Sequence, residues 1–174
     1  MSEKVINHFK LRQFAENDSI GLIAMQNLIY PDHPLSLDSL RHHEKTRSSK
    51  IQHKHWLWEK DGTFICSALY TQWEEVYHPH KFVIKIFVHP DHRDRGYGDF
   101  CYKFIMKKLE KLDPIKISAQ VYESHAYSVD FLKNRGFKNT FIERESNLDL
   151  MVYDPKLYKE KLDSVLHQGF RIIT

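Results

Sequence analysis

The stretch VHPDHRDRGYGDF, residues 88–100, concentrates arginine and glycine in a pattern suited to anion binding. In the spacing Arg93-x-x-Gly96-x-Gly98, the glycines let a ligand approach the backbone closely. The first amides of a helix have no intrahelical acceptor, and the positive end of the helix dipole lies behind them. With the charges of Arg93 and Arg95 at the rim, the stretch predicts a site for a diphosphate.

The same stretch does not match the other common phosphate loops. The pattern G-x-x-x-x-G-K-[ST] is absent, and Gly96-Tyr97-Gly98 lacks the third glycine of G-x-G-x-x-G. Neither a nucleotide-hydrolysing loop nor a dinucleotide-binding fold is therefore supported. Taken alone, the pattern leaves an ordinary turn with solvated charges as the alternative.

A strand before the stretch and a helix after it must position these residues. Residues 82–88 are apolar on both faces apart from Lys85, which predicts a strand within a sheet. Asp113-Pro114 ends the helix, and residues 115–122 predict a further strand, so the two strands should be parallel. The apolar stripe of the helix consists of Phe100, Cys101, Phe104, Ile105, Leu109 and Leu112.

The remaining elements complete a mixed α/β pattern. Asp61-Gly62 between two β-prone runs predicts a hairpin, and Gly136 is placed to end a helix in the left-handed conformation. Strands are predicted at 5–14, 54–59, 63–73 and 137–150. Helices are predicted from Asn17 or Asp18 to Tyr30-Pro31, after a Ser36 cap through residue 49, from Ser124 to about Arg135, and at 155–168.

Composition narrows the classes of protein. The length of 174 residues fits a single domain spanning 1–174. The 26 basic and 23 acidic residues are interspersed, so no nucleic-acid partner is expected. Cys66 and Cys101 fit neither a disulfide framework nor a zinc site, which favours a cytoplasmic location. No run approaches the ~18 apolar residues of a membrane span, so we expect a soluble protein without a membrane partner.

Twelve histidines raise the question of a metal site. His53 with His55, or His78 with His80, could place two ligands on one strand face. Neither pair has a third ligand at a recognisable spacing, and we expect no metal.

Two motifs resemble those of the GNAT acetyltransferase superfamily. Residues 88–98, VHPDHRDRGYG, resemble motif A, V-x-P-x-x-[RQ]-x-x-G-x-[GA], and residues 121–137, VYESHAYSVDFLKNRGF, resemble motif B, a short helix ending in Gly-Phe. The resemblance implies a GNAT-like α/β fold. In that fold a central mixed sheet is splayed between its fourth and fifth strands and has helices on both faces. The motif A matches are Val88, Pro90, Arg93, Gly96 and Gly98.

The resemblance also implies a cosubstrate, acetyl-CoA, and a site for it. The amide of Val88 or a neighbour would polarise the thioester carbonyl, an effect worth roughly 3–4 kcal/mol of barrier in related acyl chemistry. The arm of the cosubstrate would lie along Ile86, Phe87 and Val88. The pyrophosphate would contact the loop residues Arg93, Arg95, Gly96, Tyr97, Gly98 and Asp99.

The implied reaction is direct attack by a primary amine of a small molecule or peptide, without an acyl-enzyme. Glu74 and Glu75, before motif A, are the candidate general bases. Strand alternation would let at most one of them face the cleft, and two solvated carboxylates are the alternative. A catalytically silent CoA-binding or regulatory module is the alternative to an enzyme.

Motif B departs from the family pattern. The usual asparagine, alanine and tyrosine positions are occupied by His125, Ser128 and Leu132, so the tyrosine that serves as acid is missing. His125 or Ser128 would then contact CoA instead. Tyr122 or Tyr127 would lie near the sulfur, or solvent would protonate the thiolate.

The tail, residues 145–174, resembles the junction between the halves of tandem GNAT proteins. Its apolar run FRII, residues 170–173, has two interpretations. We favour one in which it completes the sheet of its own chain. The other is exchange with a second copy in a homodimer.

Overall fold

The computed structural model describes residues 9–144, 146 and 148–171. The chain divides into two compact units, with the boundary between Phe137 and Lys138. The first unit contains β1 (Lys10–Gln13), α1 (Ser19–Ile29), α2 (Leu37–Thr46), β2 (Lys54–Lys60), β3 (Thr63–Thr71), β4 (Lys81–Val88), α3 (Tyr97–Leu109), β5 (Lys116–Ser118) and α4 (Ala126–Lys133); the second contains α5 (Lys159–His167).

The strands form one mixed sheet in the order β1-β2-β3-β4-β5. Neighbours are antiparallel except β4 and β5, which are parallel as predicted. Asp61 and Gly62 join β2 to β3 with φ angles of 50° and 77°. Positive φ at both central residues is what a two-residue turn of the predicted hairpin requires.

Strand β4 parts from β5 soon after it begins. It pairs with β3 from Val83 to Val88, but with β5 only at Lys81, Phe82 and Val83. The strand predicted at 115–122 is therefore wrong beyond Ser118, because the chain there no longer runs beside a partner. Among the described residues, the far half of β4 has no partner strand on its second edge, which is the expected splay between the fourth and fifth strands.

Helices cover both faces of the sheet. On β2, Trp56 and Trp58 point to the face covered by α3. Leu57 lies between them and points to the face covered by α1. Because side chains alternate along a strand, apolar residues lie on both faces of the sheet, and a helix covers each face.

Several other predictions can be compared with the structure. Helix α5 is confirmed. The Ser36 cap of α2 is also confirmed, because Ser36 Oγ accepts the Ser39 N–H at 3.0 Å. Helix α4 begins after His125 rather than Ser124. Residues 1–8, and Ile172 and Ile173 of the FRII run, lie outside the described residues.

The strand predicted at 137–150 is wrong for the residues that the structure describes. Residues 138–144, 146 and 148–150 contain no strand. Phe141 and Ile142 are both exposed. Adjacent strand residues point to opposite faces, so this run could not present one consistently apolar face to a core.

None of the described helices is long and apolar enough to cross a membrane.

One arginine joins three elements at the far edge of the sheet. Arg12 of β1 donates to Glu59 of β2 through Nε and Nη2, at 2.9 and 2.7 Å. It also donates to both carboxylate oxygens of Asp18, the residue before α1, at 2.5 and 2.7 Å. Asp18 is only 9% exposed and also accepts the Ala15 N–H. These hydrogen bonds lower the pKa of both carboxylates.

We expect Arg12→Met to lower the free energy of unfolding by about 2 kcal/mol, between the values for exposed and buried ion pairs. The loss arises because Asp18 and Glu59 keep their charges without their shared partner. Lys10→Met is the matched control, since Lys10 reaches the same Glu59 at 3.4 Å but is 72% exposed. Urea unfolding followed by tryptophan fluorescence measures both, and equal losses would contradict the prediction.

Candidate functional site

The loop between β4 and α3 presents free backbone amides. Gly96 precedes the helix with a φ of 82°, in the left-handed region that glycine tolerates. The Phe100 N–H donates to the Gly96 carbonyl at 3.0 Å and is the first helical hydrogen bond. The amides of Tyr97, Gly98 and Asp99 therefore have no acceptor within the helix. This is the geometry that the sequence predicted for an anion site.

The loop that carries these amides contains two arginines, Arg93 and Arg95, and two aspartates, Asp91 and Asp94. Among the described residues, Arg93 and Arg95 form no ion pair with any carboxylate. Asp99, by contrast, accepts from Lys103 Nζ at 2.7 Å and from Arg135 Nη2 at 2.9 Å. These two partners lower the pKa of Asp99 and offset its charge. The loop arginines remain available to an anion.

Arg135 fixes the end of α4 against the start of α3, and the sequence reasoning missed it. Its guanidinium lies 3.5 Å from the centre of the Phe131 ring and donates to the Phe131 carbonyl at 2.8 Å. A Cβ on Gly98 would lie 3.1 Å from Phe131 Cε2. Gly98 thus permits close packing of the two helices as well as access to its amide. The RGF ending of motif B was the available signal.

The unpaired edge of β4 presents backbone groups from alternate residues. On the β3 side, the His89 N–H donates to Ile65 at 2.9 Å. On the β5 side, the Ile115 N–H donates to the His80 carbonyl at 2.9 Å. Since backbone groups alternate along a strand, Ile86 and Val88 direct theirs to the open side.

Phe87 is the exception among the three β4 residues predicted to hold the arm. It pairs with Ser67 of β3, and alternation directs its N–H and C=O toward that strand. Its ring instead meets Tyr30 with centroids 6.2 Å apart. Phe87 therefore lines the site with its side chain, because strand geometry sends its backbone the other way.

An aromatic cluster lies beside the open edge, formed by Tyr30, His33, Phe87, Tyr122 and His125. His33 stacks on Tyr122 at 4.2 Å, and Tyr30 lies 5.4 Å from Tyr122 and 4.9 Å from His125, between ring centroids. Burial, with the neighbouring Tyr122, raises the pKa of Tyr30. The cluster brings His125 to other rings, a contact that the sequence did not reveal.

Two further motif B positions lie on α4. Ser128 is half-buried, and its N–H donates to the His125 carbonyl at 2.9 Å. Leu132 supplies no acid, and Tyr127 is exposed. Tyr122 and Tyr127 are the two tyrosines expected near the sulfur of CoA, and only Tyr122 belongs to the aromatic cluster.

Glu74 and Glu75 lie in a loop, not on a strand. Strand β3 ends at Thr71, so the alternation invoked for these two residues does not reach them. Glu74 Oε1 accepts the Ser48 N–H at 3.0 Å. Glu75 is exposed and makes no hydrogen bond or ion pair within the described chain. Their role as general bases stays a prediction.

A buried polar group lies on the same sheet face as α1. His55 Nε2 lies 3.2 Å from Ser67 Oγ, and Phe14 stacks on the His55 ring. Burial lowers the pKa of His55 to about 3 and that of the nearby His53 to about 4, so both rings are neutral at pH 7. In the part of the chain that the structure describes, no three His, Cys, Asp or Glu side chains group as metal ligands.

Comparison with known proteins identifies the family. The sequence model of the Acetyltransferase (GNAT) family matches residues 22–137. The chain belongs to this family. It is therefore an acyltransferase, and the family that the sequence resembles is confirmed. No curated protein matches the sequence.

Solved GNAT structures share the fold at low sequence identity. An aminoglycoside acetyltransferase from an uncultured soil metagenomic sample, in complex with trehalose, has a TM-score of 0.63 at 15% identity, over 83% of this chain and 99% of its own. Aminoglycoside N-acetyltransferase AAC(6')-Iy in complex with CoA has a TM-score of 0.59 at 15% identity, over 81% of this chain and 95% of its own. The ribosomal-protein-S18-alanine N-acetyltransferase from Escherichia coli has a TM-score of 0.62 at 15% identity, over 78% of this chain and 81% of its own.

The buried His55 predicts how stability depends on pH. Its folded pKa of about 3 lies below the ordinary 6.5, so below pH 6.5 the unfolded chain binds the extra proton. The contribution of His55 to stability is full above pH 6.5 and falls by about 1.4 kcal/mol per pH unit on acidification toward pH 3, and His53 adds its own slope down to about pH 4. His55→Gln should reduce the slope by about that amount, as measured by urea unfolding between pH 7 and 5.

Ser67→Ala is the matched control for His55. It removes the hydrogen-bond partner but keeps the buried imidazole, so stability should drop at every pH while the slope stays. An unchanged slope in His55→Gln would contradict the assignment.

Proposed function

We propose that the protein is an N-acetyltransferase that moves the acetyl group of acetyl-CoA to a primary amine of a small molecule or peptide. The observation that carries the proposal is the free helix amides and unpaired loop arginines next to the unpaired edge of β4. A GNAT structure of the same fold binds CoA, which supports the choice of cosubstrate.

The described residues fit acetyl-CoA in both halves of the site. The amides of Tyr97, Gly98 and Asp99, with Arg93 and Arg95, suit a pyrophosphate that accepts several hydrogen bonds. The open backbone groups of Ile86 and Val88 suit the amides of the pantetheine arm, which can pair with β4 as a strand would. Arg95 and Gly96 extend the loop backbone toward the same anion.

Acetyl-CoA supplies an activated thioester, and the chain positions and polarises it. The Val88 amide, on the open side of β4, donates to the thioester oxygen as charge develops there, an effect worth roughly 3–4 kcal/mol in related chemistry. Ile86, two residues earlier, also directs its backbone groups to the open side of β4. Hydrogen bonds to both residues hold the arm in one register along the strand.

The acceptor amine attacks directly. Cys66 and Cys101 are buried under the sheet with their sulfurs 3.3 Å apart, and burial raises the pKa of Cys101 well above the ordinary value. Neither thiol can serve as an exposed nucleophile. Glu74 or Glu75 would take the proton from the acceptor ammonium. The departing thiolate needs no protein acid, since thiols titrate near pH ~8.5.

Further parts of the proposal concern the setting of the enzyme. We propose a single domain over residues 1–174 that acts in the cytoplasm without metal, nucleic acid or membrane. Solved structures of this fold include enzymes named for aminoglycosides and for a ribosomal-protein alanine, so small-molecule and peptide amines both belong in a substrate screen. Sedimentation velocity would test a homodimer formed by exchange of the tail.

Calorimetric titration with acetyl-CoA and desulfo-CoA separates this function from its rivals. Binding of both, together with thiol release across a panel of amines, is the expected result. Binding without thiol release would favour a silent CoA-binding module. No binding of either ligand below millimolar concentration would overturn both interpretations.

Charge reversal in the loop tests the anion site. Arg93→Glu and Arg95→Glu should each weaken CoA binding at least tenfold, about 1.4 kcal/mol, because a carboxylate then faces the pyrophosphate. Lys107→Glu is the matched control, since Lys107 is exposed on α3 well beyond the first turn. If all three variants lose affinity equally, the effect is one of overall charge, and the loop is misassigned.

A further inference from the structure

Lys85 is the one charged residue between Phe82 and Val88 in β4. Its register partner in β3 is Leu69, and the partner of Leu69 in β2 is His55. Side chains two residues apart share a face, so Lys85 lies on the same face as Phe87, whose ring contacts Tyr30. Lys85 therefore belongs to the wall that also carries the aromatic cluster.

The side chain of Lys85 is accessible to solvent but partly surrounded by protein. Its side chain is exposed to solvent, yet surrounding protein atoms desolvate the ammonium and lower its pKa. Its charge also contributes to lowering the pKa of His53, which places the two groups within electrostatic reach. An accessible side chain surrounded by protein on several sides is one that a bound molecule can contact.

The charge of Lys85 is not offset by its surroundings. Within the described residues, no carboxylate lies within ion-pairing distance of its ammonium. Glu44, the carboxylate that acts to raise the pKa of His53, already pairs with Arg47. Glu74 accepts the Ser48 amide. The aromatic cluster contains no carboxylate, so none of its members pairs with the ammonium of Lys85.

Lys85 also lies on the strand that is proposed to hold the thioester. It precedes Val88, whose amide is proposed to polarise the thioester carbonyl, by three residues, which is about 10 Å along a strand. A second ammonium here repels any acceptor whose remaining groups are cationic. It attracts an acceptor that carries an anion a few bonds from its amine.

We propose that Lys85 selects acceptors that carry a carboxylate close to the primary amine that is acetylated, as amino acids do. This inference rests on the proposed function, since it deepens the identity of the acceptor. Lys85 acts as a specificity residue, holding the carboxylate while the amine faces the thioester at Val88. Polycationic amines are correspondingly poor acceptors.

The test compares acceptors that differ only in this charge. Two matched series serve: 4-aminobutyrate, butylamine and 1,4-diaminobutane, and phenylalanine with phenylalaninamide. With kcat/KM from thiol release, at least one series should favour its carboxylate member at least tenfold. Lys85→Met should abolish the preference mainly through KM, Lys85→Arg should retain it, and Lys85→Glu should reverse it toward the diamine.

Lys81→Met is the matched control, because Lys81 is an exposed lysine of the same strand that lies where β5 still pairs. It should keep the preference. Equal kcat/KM within both series, or a preference that survives in Lys85→Met, would overturn the inference. CoA affinity should be unchanged in all Lys85 variants, which shows that they fold and that the cosubstrate site is intact.

Failure of the inference and failure of the proposed function give different results. Acetylation of amines without any carboxylate preference overturns the inference alone. If CoA binds but no amine is acetylated, the function fails, and the same acceptor pairs are then titrated against the protein–CoA complex. Preferential binding of the carboxylate members, lost in Lys85→Met, would still support the role of Lys85, and its absence would overturn that role.

Discussion

The parting of β4 from β5 after Val83 is the constraint on which the rest of the site depends. A strand inside a protein must satisfy its N–H and C=O groups, and β4 does so on only one side over its far half. That unpaired edge can accept an extended ligand with amide groups. The same parting leaves room for the aromatic cluster and directs the chain toward α4, so one interruption in a hydrogen-bond ladder creates the cleft and its walls.

Charge around the α3 terminus is arranged so that the one carboxylate of the first helical turn is offset. Asp99 would oppose an anion at the helix start, but Lys103 and Arg135 offset its charge. Arg135 has a second effect, since it holds Phe131 against Gly98 and thereby fixes α4. A single guanidinium thus joins the electrostatics of the loop to the packing of the two helices that border the site.

In the proposed reaction, backbone groups and fixed charges hold and polarise the cosubstrate, and no side chain forms a covalent intermediate. The two thiols are buried, and His53 and His55 are neutral at pH 7. On the proposed acceptor side, Lys85 is the one charged residue between Phe82 and Val88, and no carboxylate among the described residues pairs with it. The proposed chemistry accordingly depends on orientation and on a few oriented dipoles, and specificity depends on one charge.

The sequence by itself determined the features that local chemistry controls. These are the Asp61-Gly62 hairpin, the amphipathic α3, the glycine at position 136 in the left-handed region, and the resemblance to the family. The tertiary structure decided where β5 ends, that residues 138–144 form no strand, and that His125 packs among rings. It also decided that Arg135 spans two helices. Those outcomes depend on neighbours distant in sequence, because a strand needs a partner and a side chain's role depends on what lies across from it.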